Sequence, residues 1–332
     1  VEAGQLSEGK PGAVGAGVDL TEIDPIAIRG RSPWELFWKR FREDRLAMAS
    51  LIFLAVLVIV AIFAGPITSL LGAPDPNYRD TSALDPLFAT PTGPSSDHWF
   101  GVDQIGRDVL SRTIYGARVS LLVAFVATFI ATAGGVVAGL IAGFFGGWLD
   151  TFISRSVDVL LAIPYLLLAT GLAAACTLGG TGCLGGLIKP GIPVVIAVIS
   201  FTSWTYMARI VRGQTLSLRE KEFVEASRSL GASNSRIIFR ELLPNLTAPI
   251  IVYASILIPQ VILYEAALSF LGVGIQPPTA SWGQMISDAT PSFVNAWWYM
   301  VFPGVALLLT VLAFNLVGDA MQDALNPRSK KS

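Results

Sequence analysis

Histidine is nearly absent from this sequence. His98 is the only one in 332 residues, and cysteine occurs twice, at Cys176 and Cys183. A zinc centre usually needs several Cys or His ligands, and a Ser-His-Asp triad needs an imidazole beside its nucleophile. His98 sits in a polar stretch and reads as a loop residue. No G-x-x-x-x-G-K-[ST] phosphate loop appears, so the chain is not expected to hydrolyse ATP. Charge is scarce as well. Asp, Glu, Lys and Arg make up 14% of the residues, against about 25% in an ordinary soluble domain. The net charge of −1 lacks the basic excess that nucleic acid attracts, so no nucleic-acid partner is expected.

What is present is apolar. Hydrophobic residues form 53% of the chain, and a membrane helix needs about 20 in a row. Six stretches qualify: 46–64, 119–145, 152–175, 192–210, 246–271 and 297–317. The expectation is an all-α polytopic membrane protein with six spans in the lipid bilayer. In the second, Gly135, Gly139 and Gly143 recur at four-residue spacing, which lets another helix approach closely. The third runs through "VDVLLAIPYLLLATGLAAA" and is taken as one span. Lys and Arg set the orientation, because cytoplasmic loops carry an excess of them. With the N-terminus inside, seventeen fall on the cytoplasmic side and five outside, and six spans return the C-terminus to the cytoplasm.

The expected organisation follows. Residues 1–31 form a flexible cytoplasmic tail without the pattern of a signal peptide. Residues 32–45 form an amphipathic helix, with Ser32 as cap, Pro33 and Glu35 in the first turn, and Trp34, Phe37, Trp38 and Phe41 on one face. It lies on the inner membrane surface or continues the first span with interfacial aromatics. Then come the first span (46–65), an extracellular loop (66–118), five spans within 119–318, and a cytoplasmic tail (319–332). In the loop, Asp108 and Arg112 are spaced for an i, i+4 pair on a short helix. That segment receives a partner or simply leads into the second span.

One polar island interrupts the apolar chain: "KEFVEASRSLGASNSRIIFRELLPN", 221–245. Phe223, Ala226 and Leu230 share a helical face. Gly231 suits a left-handed helix stop, and Ser233 can cap a second helix whose apolar face is Ile237, Ile238 and Leu242. Pro244 marks its end. Charge counting places the island inside. With small residues Ala226, Ser227 and Gly231, it reads as a surface for a helix-in-groove partner, or as a solvated loop with incidental helicity.

Two acids fall in or near spans. Asp158 and Glu265 are costly there and are candidates for the substrate path or a gate, or have a structural partner such as Arg155 for Asp158. Cys176 and Cys183, in an outer loop with three intervening Gly, form a disulfide or remain two thiols.

"EASRSLGASNSRIIFRELLP" resembles the EAA motif of binding-protein-dependent ABC importer permeases: E-A-A, three residues, Gly, nine residues, I-x-L-P. Glu225, Ala226, Gly231, Leu243 and Pro244 match in place; Ser227 replaces the second Ala and Glu241 the Ile. "HWFGVDQIGRDVLSRTIYGARVSL", "FISRSVDVLLAIPYLLLA" and "YEAALSFLGVGIQPPTASWGQMI" are similar to dipeptide and oligopeptide permeases of the C-subunit type, and the likeness spans about 31–326. It implies a type I ABC importer permease fold over 119–318, with a coupling loop at 214–245. It implies a non-enzymatic pore subunit in a bacterial or archaeal cell membrane. That subunit would be paired with a homologous B-type permease, two cytoplasmic ATPase subunits that bind ATP and Mg, and an extracellular lipoprotein delivering short peptides. The chain itself would hold no cofactor or metal. Phe223, Glu225, Ala226, Ser227, Leu230, Gly231, Ala232, Leu243 and Pro244 would form the ATPase-docking surface. Close relatives in that group carry nickel chelates, glutathione or oligosaccharides. Scarce Met and outward Cys disfavour metal. A secondary carrier or channel would leave the coupling spacing without purpose, and an intramembrane protease lacks a histidine in any span.

Overall fold

The structure, a computed structural model, describes residues 33–85, 90–177, 180 and 182–325. The expected tail at 1–31 and the Ser32 cap lie outside them. Among the described residues the chain is helical and forms no extended strand. The first helix, α1 (Pro33–Glu43), ends where Asp44 turns extended and its carboxylate accepts the Leu46 and Ala47 amides at 3.0 and 3.1 Å. That cap starts α2 (Arg45–Ile62) as a new helix, so α1 does not continue the first span. Phe37 and Phe41 of α1 are buried, while Lys39, Arg40 and Arg42 are exposed. The short α3 (Ala64–Leu70) follows.

The second span begins ten residues before its expected start. Helix α4 (Val109–Phe145) opens on Asp108, whose carboxylate accepts the Ser111 amide at 2.7 Å. The expected Asp108–Arg112 pair does not form. Asp108 is taken up by this cap and by His98, and Arg112 reaches Pro76 and Gln284 instead. Against α4 lies α7 (Ile192–Arg219). A Cβ on Gly135 would stand 2.6 Å from that of Met207, on Gly139 2.7 Å from the Ala208 carbonyl, and on Gly143 2.7 Å from the Thr215 Cβ. The glycine stripe therefore sets how near the two backbones come.

The expected third span is broken. Helices α5 (Gly147–Ala162) and α6 (Tyr165–Thr177) meet at 92°. Pro164 lacks an amide proton and its ring excludes the carbonyl four residues earlier. It also drives Ile163 extended (φ −91°, ψ 130°). Among the described residues five helices are long and apolar enough to cross a membrane, and the bent pair makes a sixth if it counts as one. The island forms α8 (Glu222–Ser229), the single turn α9 (Asn234–Arg236) and a π-helical turn, Ile237–Leu242. Pro244 does not end the island helix as expected. It lies in the first turn of α10 (Leu243–Phe270), which the π turn enters without a break. The wide turn sends the Leu243 amide to the Ile238 carbonyl, five residues back, and Pro244, which has no amide proton to donate, follows directly on it. Helix α11 (Trp282–Ala289) and α12 (Trp297–Leu325) complete the described residues, and α12 runs on without a break through 319–325.

Candidate functional site

The island hangs from the ends of α4 and α7. Val224, Ile237 and Leu242 are fully buried and pack with Leu140, Phe144, Met207 and Val211. Gly231, at φ +78°, ends α8 in a Schellman turn: its amide bonds the Arg228 carbonyl and the Ala232 amide bonds that of Ser227, each at 3.0 Å. Ser233 Oγ then accepts the Arg236 amide at 3.4 Å. The anchor residue of α8 is thus Val224, which the sequence reading missed. Phe223, Ala226 and Leu230, expected to form its apolar face, all reach the surface, Leu230 at 89% exposed and Phe223 at 38%. Glu225 is exposed beside them, Ser227, Ala232 and Leu243 are half-buried, and Pro244 is exposed. The island buries one apolar edge and displays another. A signal was available, since Val224 is one residue from Phe223, but a periodic pattern does not say which of two apolar stripes faces the chain's own core.

Two cavities flank α7. One, ≈ 390 Å³, is charged: Asp150, Asp158, Arg155, Arg209 and Arg212 line it between α5 and α7. Asp158 accepts a bond from Arg209 at 2.9 Å, with Arg155 at 4.0 Å, and Arg212 clasps Asp150. The other, ≈ 330 Å³, lies between α7 and α10 and has no charged lining residue. Ser203, Tyr206, Tyr253, Gln260 and Tyr264 contribute to it, and Tyr264 stacks on Tyr165 of α6 at 3.7 Å. The α7 residues of the two cavities fall on opposite sides of that helix, at 203, 206 and 210 against 208, 209 and 212. The tyrosine-lined face was not singled out from the sequence, because isolated Tyr residues in separate spans carry no local pattern.

Glu265 lines neither cavity. It is fully buried and accepts hydroxyls from Ser269 at 2.8 Å and from Ser120 of α4 at 2.9 Å. Ser269 Oγ also accepts the Ile275 amide at 3.1 Å. The carboxylate thus ties α10, α4 and the following loop together.

The far end of α4 is a second polar assembly. His98 is buried, not a free loop residue. Its Nδ1 lies 2.8 Å from Asp108 and its Nε2 3.5 Å from Asp80. Hydrogen bonds from Ser82 hold the Asp80 carboxyl below its ordinary pKa. Arg107 pairs with Asp103 at 2.5 Å, and buried Arg112 donates to Gln284 at 3.1 Å and to the Pro76 carbonyl at 3.2 Å. Burial pushes the Asp288 carboxyl up, with Arg107 and Arg112 pulling it back down. Trp282 donates to the Thr113 carbonyl at 3.0 Å and Trp298 to that of Val102 at 3.1 Å. Cys176 and Cys183 are joined, with Cα atoms 4.6 Å apart.

Residues 135–331 match the family described as "Binding-protein-dependent transport system inner membrane component", and residues 32–91 match "N-terminal TM domain of oligopeptide transport permease C". A dipeptide transport system permease protein of Alkalihalophilus pseudofirmus is 40% identical over 299 residues, 90% of this chain and 91% of that protein. A glutathione transport system permease protein of Shigella flexneri is 44% identical over 300 residues, 90% of this chain and 92% of that protein. Among solved structures, the inward-facing MetNI methionine ABC transporter in its native crystal form aligns at a TM-score of 0.52 and 21% identity, over 65% of this chain and 97% of that one. That likeness concerns the fold.

Proposed function

Since the chain belongs to the family of binding-protein-dependent transport system inner membrane components, we propose that it forms half of the translocation pore of an ATP-driven importer of short peptides. In this reading a homologous permease supplies the other half. Two ATPase subunits, carrying ATP and Mg, dock on the island from the cytoplasm, and an extracellular lipoprotein delivers the ligand. Both termini and the island face the cytoplasm, in a bacterial or archaeal cell membrane.

The observation that carries the reading is the divided island. Val224, Ile237 and Leu242 fix it to α4 and α7, while Ala226 and Leu230 stay bare beside Glu225 and Phe223 is partly open. A short helix fixed on one edge and apolar on the other suits a partner's groove. ATP shifts the gate only as far as the ATPases bind its two states differently. An island locked to α7 and continuous with α10 transmits that difference to the two helices that wall the tyrosine-lined cavity. Uncharged hydroxyls, rings and an amide suit a peptide's backbone, and glutathione is itself a tripeptide. Asp158, held by Arg209, is assigned to the rim of the path. Glu265, bound to two serines, is assigned to holding α10 on α4 as the gate moves.

Glu225→Lys and Gly231→Trp test the docking role. Each is expected to insert normally, lose ATPase co-purification and abolish peptide uptake. Unimpaired uptake in both would refute it.

A further inference from the structure

Helix α1 and the first turns of α10 enclose a cavity of ≈ 540 Å³ that belongs to neither the island nor the tyrosine-lined face. Its wall is apolar: Phe37, Trp38 and Phe41 from α1, Ala248 and Ile251 from α10, and Met321 from α12. Phe37 and Phe41 stack at 5.9 Å, with Trp38 edge-on to each at 5.7 and 6.0 Å. Trp38 is also a wall of a second, shallow cavity, lined otherwise by Glu35, Lys39 and Arg42. The Arg42 guanidinium lies 5.7 Å from the Trp38 ring centre. An apolar slot therefore meets, across one indole, a polar shelf with two cations and one carboxylate.

We propose that this is a binding site for one anionic phospholipid of the bilayer, with an acyl chain in the slot and the phosphate on Lys39 and Arg42. The slot suits a hydrocarbon chain and offers few polar partners. The shelf carries a net positive charge, and an indole at such a boundary is the side chain that favours both media. A zwitterionic lipid would fill the slot equally well but gain less from the shelf. Each Lys or Arg near an anionic surface contributes a factor of about five, and Glu35 opposes one of the two, so the net preference for an anionic head is about fivefold. Pro244 and Thr247 also line the slot. The lipid therefore contacts α10 where it leaves the island.

The test uses the full chain in phosphatidylcholine vesicles, with acyl-brominated phosphatidylglycerol or acyl-brominated phosphatidylcholine as quencher. The signal of Trp38 is read as the difference from Trp38→Phe. The expected result is half-quenching at about fivefold less phosphatidylglycerol than phosphatidylcholine. Lys39→Gln with Arg42→Gln leaves Glu35 alone on the shelf and should turn the preference towards phosphatidylcholine, and Ala248→Trp, filling the slot, should abolish quenching by both. If Ala248→Trp fails to insert, the charge variant alone decides. Equal quenching by the two lipids, or a preference that survives loss of both cations, overturns the proposal. Quenching that appears only after residues 1–32 are deleted would give the slot to the chain's own N-terminal segment. Quenching lost in the assembled transporter would give it to a partner subunit. Either outcome also overturns the proposal.

Discussion

The two ends of α4 are built on opposite plans. At its start, Asp103, Arg107, Asp108 and Arg112 are all buried and bond within the protein, to one another, to His98, to Gln284 and to the Pro76 carbonyl. At its finish, the island buries only Val224, Ile237 and Leu242, leaves its charges in the open, and exposes Leu230 almost completely. Buried charges are costly unless every one is paired, so the first region is held in one arrangement by its own contacts. The island meets that standard only on the edge facing α4 and α7. A region whose polar groups are spent internally is finished as folded. One that shows apolar side chains next to charges is, in the proposed reading, finished by a partner.

The difference can be broken at either end. Arg112→Met should have the largest effect on stability, about 3 kcal/mol or more, because it removes one member of a buried charged cluster. A thermal unfolding curve in detergent should show it, and an unchanged midpoint would mean that the far end is not held by its charges. Val224→Ala removes two buried methyl groups, at about 0.8 kcal/mol each, and should cost about 1.5 kcal/mol. It should release the island locally, so that hydrogen exchange rises in α8 while α4 around Arg112 stays protected. Uniform exchange through both regions would deny that the island is a separate unit. Leu230→Ser should have the smallest effect on the fold, within about 0.5 kcal/mol, as for other exposed sites. It should nevertheless weaken ATPase co-purification. A stable variant that retains its ATPases would remove Leu230 from the docking surface.

Much of this was legible in order along the chain. The apolar stretches marked the spans, the Gly135–Gly139–Gly143 spacing marked a close helix contact, and Gly231 and Ser233 marked a helix stop and start. These are local rules: helical period, backbone conformation and capping act within a few residues. The same rules misplaced Pro244. Whether a proline ends a helix depends on the turn before it, and here that is the π turn at Ile237–Leu242, whose Ile237 and Leu242 pack against α4 and α7. Pro164 was read through as part of one apolar run, although its backbone consequence, the 92° break, is local.

The sequence by itself determined that the chain enters a membrane, which apolar stretches supply its spans, and that a helix–glycine–helix island divides the fourth from the fifth. Hydrophobic length and φ preference need no distant partner to act. Only the tertiary structure decided which side chains turn inward. Val224 rather than Phe223 anchors the island, Ser120 reaches Glu265 across 145 positions, and Arg112 pairs with Gln284 instead of Asp108. A buried polar group must be satisfied by whatever the packed helices bring within about 3 Å of it, and sequence distance puts no limit on that.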